Sequence, residues 1–246
     1  MQVISGVEYR QRIDRREANS FEAPVVRDSN ALRFLALSCT EWGMQRRRRI
    51  GILGGTFNPI HLGHLLIAQD AREQLRLDRV KFIPSATPPH KAVDTLASER
   101  DRMHMIELAI RGNDGLEADD VEIKRGGKSY TVDTLTELRR RDPRADFYFI
   151  IGADSLRELH LWREAERLVR LCTFVTVPRP GFEPKPVVDP RLGAATRRRL
   201  RQHVLRGHAC DIASREIRAR VASGRSIRYL VPDAVYEYIR RRRLYQ

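Results

Sequence analysis

The segment Gly54-Gly55-Thr56-Phe57-Asn58-Pro59-Ile60-His61-Leu62-Gly63-His64 holds the densest run of chemistry-bearing residues in the chain. Two leading glycines let a backbone turn sharply and approach a ligand closely. His61 and His64 are three residues apart, so at the start of a helix they share one face and converge. A helix entry also offers unpaired N–H groups and a positive dipole end, which suit an anion. Two imidazole donors aimed at such a site are suited to negative charge developing on a phosphate. A metal pair is the rival chemistry, but no carboxylate or third histidine lies nearby in sequence. A core histidine explains either ring alone but not the pair. The segment is neither the Walker lysine loop nor the G-x-G-x-x-G of hydride-transfer enzymes.

The elements around this segment alternate strand and helix, the pattern of a parallel sheet with crossover helices. Arg49 to Leu53 reads as a buried strand, Leu62 to Leu77 as a helix, and Val80 to Ile83 as a second strand stopped by Pro84. Ser98 to Arg111 reads as a helix capped by Ser98, with Met103, Ile106, Leu108, Ala109 and Ile110 inward. A short strand is expected at Val121 to Ile123, a helix at Thr131 to Arg141 and a central strand at Phe147 to Ile151. A helix near Arg163 to Val169 and a strand from Cys172 to Val177 follow. The proline-rich stretch 179–190 reads as a loop, and helices near Ser214 to Ala222 and Asp233 to Arg243 finish the chain. The fold class is α/β: a Rossmann-like, doubly wound parallel sheet with helices on both faces and a small C-terminal helical part. Residues 1–49 show no sustained period and end in four arginines, so they read as a disordered extension, with Met44 a candidate start; residues 50–246 form the domain.

Four further segments could do chemistry. Ile83-Pro84-Ser85-Ala86-Thr87-Pro88-Pro89-His90-Lys91 is a stiff loop presenting one ammonium near a strand's C-terminal end, where α/β sheets bind ligands. Gly127-Lys128-Ser129-Tyr130-Thr131-Val132-Asp133 opens a helix whose free N–H groups can hold a carboxylate, with Thr131 and Asp133 also serving as caps. Ile150-Ile151-Gly152-Ala153-Asp154-Ser155-Leu156 delivers Asp154 to the sheet edge, where it can bond ribose hydroxyls or reach Mg²⁺ through water. Trp162 beyond it offers an indole face for an electron-poor ring, or is ordinary core. Asp211-Ile212-Ala213-Ser214-Arg215-Glu216-Ile217-Arg218 sets a hydroxyl and a forked guanidinium at another helix start.

The first segment resembles the H-x-G-H motif of the nucleotidyltransferase superfamily. Together with the I-P-x-x-x-P-P-H-K, S-Y-T-x-D-T-L and I-G-x-D-S-L…W segments it is similar to bacterial nicotinate-nucleotide adenylyltransferase over nearly all of residues 50–240. The resemblance implies adenylyl transfer from ATP to nicotinate mononucleotide, giving deamido-NAD and pyrophosphate, with Mg²⁺ carried mainly on the ATP phosphates. It implies His61 and His64 on the α and β phosphates, Ser214 and Arg218 on the outer ones, with Arg215 offering charge where the family has a hydroxyl, and Lys91 near the reacting phosphates and the mononucleotide. Gly54, Gly55, Thr56, Phe57 and Asp154 would complete the ATP site, while Tyr130, Thr131 and Trp162 would hold nicotinate. The chain departs from the family's I-S-S-T-x-I-R at Ala213 and Arg215, where two hydroxyls are missing. Nicotinamide mononucleotide and pantetheine phosphate are the alternative acceptors.

Composition sets the outer bounds. The chain carries 46 basic and 32 acidic side chains, yet residues 197–246 hold 14 arginines against Asp211, Glu216, Asp233 and Glu237, and residues 50–196 are neutral. The excess is a C-terminal property that attracts polyanions. An RNA-binding protein is therefore the alternative from another class, but it leaves the paired histidines unexplained and base-stacking aromatics are sparse there. Three cysteines without a C-x-x-C pair support neither a disulfide framework nor a structural zinc site. No apolar run approaches membrane-spanning length and the first residues lack a signal peptide's apolar core, so a cytoplasmic protein without a membrane partner is expected, a homo-oligomer being compatible.

Overall fold

The computed structural model describes residues 46–87, 96–178, 191–208 and 210–246. Arg46–Gln246 forms one unit. Its sheet has five strands, β1 (Arg49–Gly55), β2 (Arg79–Pro84), β3 (Leu116–Ala118), β4 (Asp146–Gly152) and β5 (Thr173–Val177), ordered β3-β2-β1-β4-β5. Every pairing is parallel. The helices are α1 (Leu62–Gln74), α2 (Glu99–Ile110), α3 (Val121–Arg125), α4 (Thr131–Arg141), α5 (Ala153–Arg157), α6 (Ala165–Leu171), α7 (Ala194–Leu200), α8 (Ser214–Ala222) and α9 (Asp233–Arg242). The expected Rossmann-like, doubly wound sheet is the one observed.

Strand periodicity divides the core into two layers. Ile50 and Ile52 of β1 and Phe147, Phe149 and Ile151 of β4 face one layer, with Val132, Leu135 and Leu168. Leu53 of β1, Ile150 of β4 and Val175 and Val177 of β5 face the other, with Ala68, Met105, Ile217 and Ile239. Both faces of the central strands are covered, so they read as continuous apolar runs. The strand order reverses between β1 and β4, which pair through Ile52 and Phe149. That reversal opens a crevice beyond the strands' C-terminal ends, between Gly55 and Gly152.

Local differences from the sequence reading have local causes. The short strand lies at Leu116–Ala118, and Val121–Arg125 is helical. The Asp119 carboxylate accepts the Val121 N–H at 3.1 Å and Lys124 N–H reaches the Asp120 carbonyl at 2.8 Å, which starts a helical turn. Val121 and Glu122 are both buried, which a period of two would not allow at adjacent positions. In α2, Met105 is the buried methionine and Met103 is half-buried, because the inward stripe runs Asp101, Arg102, Met105, Ile106. Helix α1 stops at Gln74, before Leu77: Arg76 takes a left-handed φ of 47°, and Leu77 N–H bonds the Arg72 carbonyl at 2.9 Å. This is a Schellman ending with arginine in place of glycine. Helices α5 and α7 had no expectation. The stretch 179–190 lies outside the described residues.

Candidate functional site

The turn between β1 and α1 is built differently from the glycine-bend reading. Gly54 and Gly55 end the strand, and neither is among the glycines with positive φ. What they supply is room. A Cβ on Gly55 would stand 3.2 Å from the Phe57 ring, and one on Gly54 would stand 3.5 Å from Phe149. The left-handed step is taken by Phe57, at φ 46°. Its ring is 2% exposed and packs on Phe82 and His64. Core burial of the side chain holds this backbone in place.

Three carbonyls of the turn are engaged from within. The Thr56 carbonyl accepts from Arg102 at 2.9 Å, the Asn58 carbonyl from Arg218 at 2.8 Å, and the Pro59 carbonyl from the Ser214 hydroxyl at 2.9 Å. Carbonyl dipoles tied inward in this way do not repel an anion across the turn. Ser214 and Arg218, in the first turns of α8, are thus brought to the first segment as the sequence suggests. Arg218 uses one donor on Asn58, and a guanidinium has five. Arg215 stands beside Ser214 and is exposed; Ala213 takes the cap position without a side-chain bond.

His61 is the residue preceding α1, and His64 is the third residue of the helix. Their rings stack with centroids 3.6 Å apart and planes 25° from parallel. His64 Nδ1 accepts the His61 backbone N–H at 3.3 Å, which in the neutral ring leaves the proton on Nε2 as a donor. Gly63 allows this packing, since a Cβ there would meet His61 Nδ1 at 3.1 Å and Cys210 Sγ at 3.4 Å. The Leu62 N–H at the helix start bonds the Leu230 carbonyl at 3.0 Å, which ties the segment Tyr229-Leu230-Val231-Pro232 to the start of α1.

A second group gathers on the other face of the sheet. Tyr130, rather than Thr131, takes the cap position of α4, and Thr131 is its first helical residue. Tyr130 and Trp162 both pack on the layer that holds Phe149. Trp162 meets Phe149 edge-on at 6.1 Å, and Phe149 touches the space above Gly54, so one ring links the two groups. Backbone bonds also link them: Ala86 N–H to Ser129 Oγ at 3.0 Å, and Ser129 N–H to the Thr87 carbonyl at 3.2 Å. Asp154 lies in the first turn of α5, just past β4 and beside the crevice. Lys91 lies outside the described residues.

Sequence reasoning missed the residues that join these parts. Arg102 is 1% exposed, and its guanidinium donates to the carbonyls of Thr56, Ser85, Ala86 and Ala97. It thereby ties the phosphate turn to the loop after β2. Asn58, 3% exposed, accepts through Oδ1 from Ala97 N–H at 3.0 Å and the Tyr245 hydroxyl at 2.8 Å. No local signal marks either role, because every partner is remote in sequence. The C-terminal arginines do not form one free stripe: Arg240 pairs with Glu237, Arg242 with Asp101 and Arg228 with Asp233.

Among the described residues, no group of three or more His, Cys, Asp or Glu side chains could hold a metal, and no helix is long and apolar enough to cross a membrane.

Comparison with known proteins followed this geometry. The pattern described as Cytidylyltransferase-like matches residues 52–223. A protein of Citrifermentans bemidjiense named probable nicotinate-nucleotide adenylyltransferase is 47% identical over 213 residues, covering 80% of this chain and 98% of that one. One of the same name from a Synechococcus species is 42% identical over 200 residues, covering 81% and 96%. A solved structure of Plasmodium falciparum nicotinic acid mononucleotide adenylyltransferase complexed with NaAD superposes with a TM-score of 0.66 at 19% identity, covering 81% and 98%. At that identity the likeness concerns the fold.

Proposed function

This chain belongs to the cytidylyltransferase-like family and, within it, to the nicotinate-nucleotide adenylyltransferases, and from that premise we infer how its own residues carry the reaction. It transfers the adenylyl group of ATP to nicotinate mononucleotide, a step of NAD biosynthesis. A phosphate oxygen of the mononucleotide attacks the α-phosphorus of ATP, the new P–O bond forms as the bond to the bridging oxygen breaks, and pyrophosphate leaves. The attacking group is already ionised at neutral pH, so neither a general base nor a covalent enzyme intermediate is required.

The residues' task is positioning and charge. His61 and His64 donate to the α and β phosphates, and Ser214, Arg215 and Arg218 engage the β and γ phosphates. Lys91 is assigned to the reacting phosphates from its place in the Pro88-Pro89-His90-Lys91 segment alone. Gly54, Gly55, Thr56 and the Phe57 backbone line the ATP side, and Asp154 meets the ribose. The N–H groups at the start of α4, that of Thr131 among them, hold the nicotinate carboxylate, and Trp162 and Tyr130 flank its ring. Mg²⁺ would be carried mainly by the triphosphate, and the Asp154 carboxylate would hold it through a water. Bound there, Mg²⁺ would neutralise charge growing on the phosphate oxygens.

The observation that carries this reading is the phosphate turn, whose carbonyls at Thr56, Asn58 and Pro59 are bonded inward while the stacked His61 and His64 rings stand at its helix entry. Incubation with Mg²⁺-ATP and each pyridine mononucleotide tests it. Dinucleotide and pyrophosphate should form in equal amounts with the acid mononucleotide; no product from either acceptor refutes the reading.

A further inference from the structure

Arg163 follows the Trp162 indole and stands at the first turn of α4. Its guanidinium carbon lies 5.0 Å from the centre of the Tyr130 ring. Its Nη1 is 3.6 Å from the carboxylate of Asp133, the one acid in that first turn. An acid there suits the helix dipole, but it opposes any anion held on the same N–H groups. A second acid, Glu164, comes within 3.8 Å of Arg163. Arg167 already serves it at 2.8 Å, and that hydrogen bond holds the Glu164 carboxyl below the usual carboxylate range. Arg163 acts on Glu164 more weakly than Arg167 does, and its guanidinium stands nearer to Asp133.

We propose that Arg163 sets the preference for an acid over an amide pyridine ring, by neutralising Asp133 and placing a cation beside the Tyr130–Trp162 slot. The inference rests on the reading of Thr131 and Trp162 as the nicotinate pocket. Nicotinate and nicotinamide rings have nearly the same shape and differ by one full charge, so packing on Trp162 separates them poorly. A charge balance at the helix start separates them directly. With Arg163 present, the pocket meets the incoming carboxylate with a helix dipole and a paired Asp133. Without it, the Asp133 charge loses this partner and opposes the carboxylate more strongly. The side chains of Arg163 and Asp133 are 53% and 41% exposed, so the effect is screened by salt.

The test measures kcat/KM for nicotinate and nicotinamide mononucleotides with saturating Mg²⁺-ATP, at low and high salt. The proteins are the unmodified chain, Arg163→Gln, Arg163→Glu, Arg163→Lys and the double variant Arg163→Gln/Asp133→Asn. Arg163→Gln should lower the acid-to-amide ratio about three- to fivefold, chiefly through KM for the acid. Arg163→Glu should lower it further, Arg163→Lys should stay within about twofold of the unmodified chain, and the double variant should recover most of the loss. High salt should shrink all these differences. An unchanged ratio in Arg163→Gln and Arg163→Glu overturns the proposal, as does an equal loss in Arg163→Lys or no recovery in the double variant. If the unmodified chain makes dinucleotide efficiently while the ratio ignores residue 163, only this inference fails. If it makes none from either acceptor, the functional reading fails and takes the inference with it.

Discussion

The Tyr245 hydroxyl donates a 2.8 Å hydrogen bond to the side-chain oxygen of Asn58, joining residues 187 positions apart. Asn58 sits in the phosphate turn, and Tyr245 follows the last helix, so this bond fixes the turn from the far end of the fold. Burial drives the Tyr245 phenol well above its ordinary value, which keeps it a donor at every working pH. Tyr245→Phe keeps the ring and removes only this donor, while Ala97 N–H still serves Asn58. The expected outcome is a stability loss of about 1 kcal/mol in denaturant unfolding, with turnover reduced less than tenfold. Unchanged stability and turnover would show that the bond does not hold the turn.

Arg102 is the costlier link to break. Arg102→Met would leave the carbonyls of Thr56, Ser85, Ala86 and Ala97 without their donor. At about 1 kcal/mol for each lost bond, the loss is about 4 kcal/mol. Arg102→Lys keeps the charge but lacks the fork that spans three segments, and should fall between. Urea midpoints of the two variants order these costs.

The histidine pair separates chemistry from packing. His64→Ala should cut turnover by about 100- to 1,000-fold, the usual result of losing one donor to developing charge, with the circular dichroism of the fold retained. Gly63→Ala keeps both histidines in the chain but pushes a methyl to 3.1 Å from His61 Nδ1. It should lower turnover with little change in melting temperature, because the ring must shift while the helix does not. Steady-state kinetics beside a melting curve distinguishes the two effects.

Glu122 supplies a pH dependence whose sign can be worked out. Burial raises its carboxyl above the ordinary glutamate value of 4.5, against lowering by hydrogen bonds from Thr134 and Ser129. Between the unfolded and the raised folded value, the native state binds more protons than the unfolded chain. Stability from this group is therefore fully present below 4.5 and is lost as pH rises through the folded value. Glu122→Gln should remove that decline and leave the protein at least as stable at pH 7. Urea titrations across the acid range compare the slopes; an identical slope in the variant removes the role.

Local patterns in the chain were enough to define the parallel sheet, the Ser98 cap, the helix Thr131–Arg141 and the placing of His61 and His64 at one helix start and of Ser214 at another. Such features depend on residue periodicity and on N–H groups that any helix start exposes, so a window of about ten residues contains their cause. The tertiary structure decided the rest. It assigned the left-handed step to Phe57 rather than to a glycine, because the burial of the Phe57 ring outweighs backbone preference. It chose a helix over a strand at Val121, and it made Arg102 and Tyr245 the supports of the turn. Hydrogen bonds and burial between remote segments form only when the sheet brings those segments together, and a linear pattern carries no trace of them.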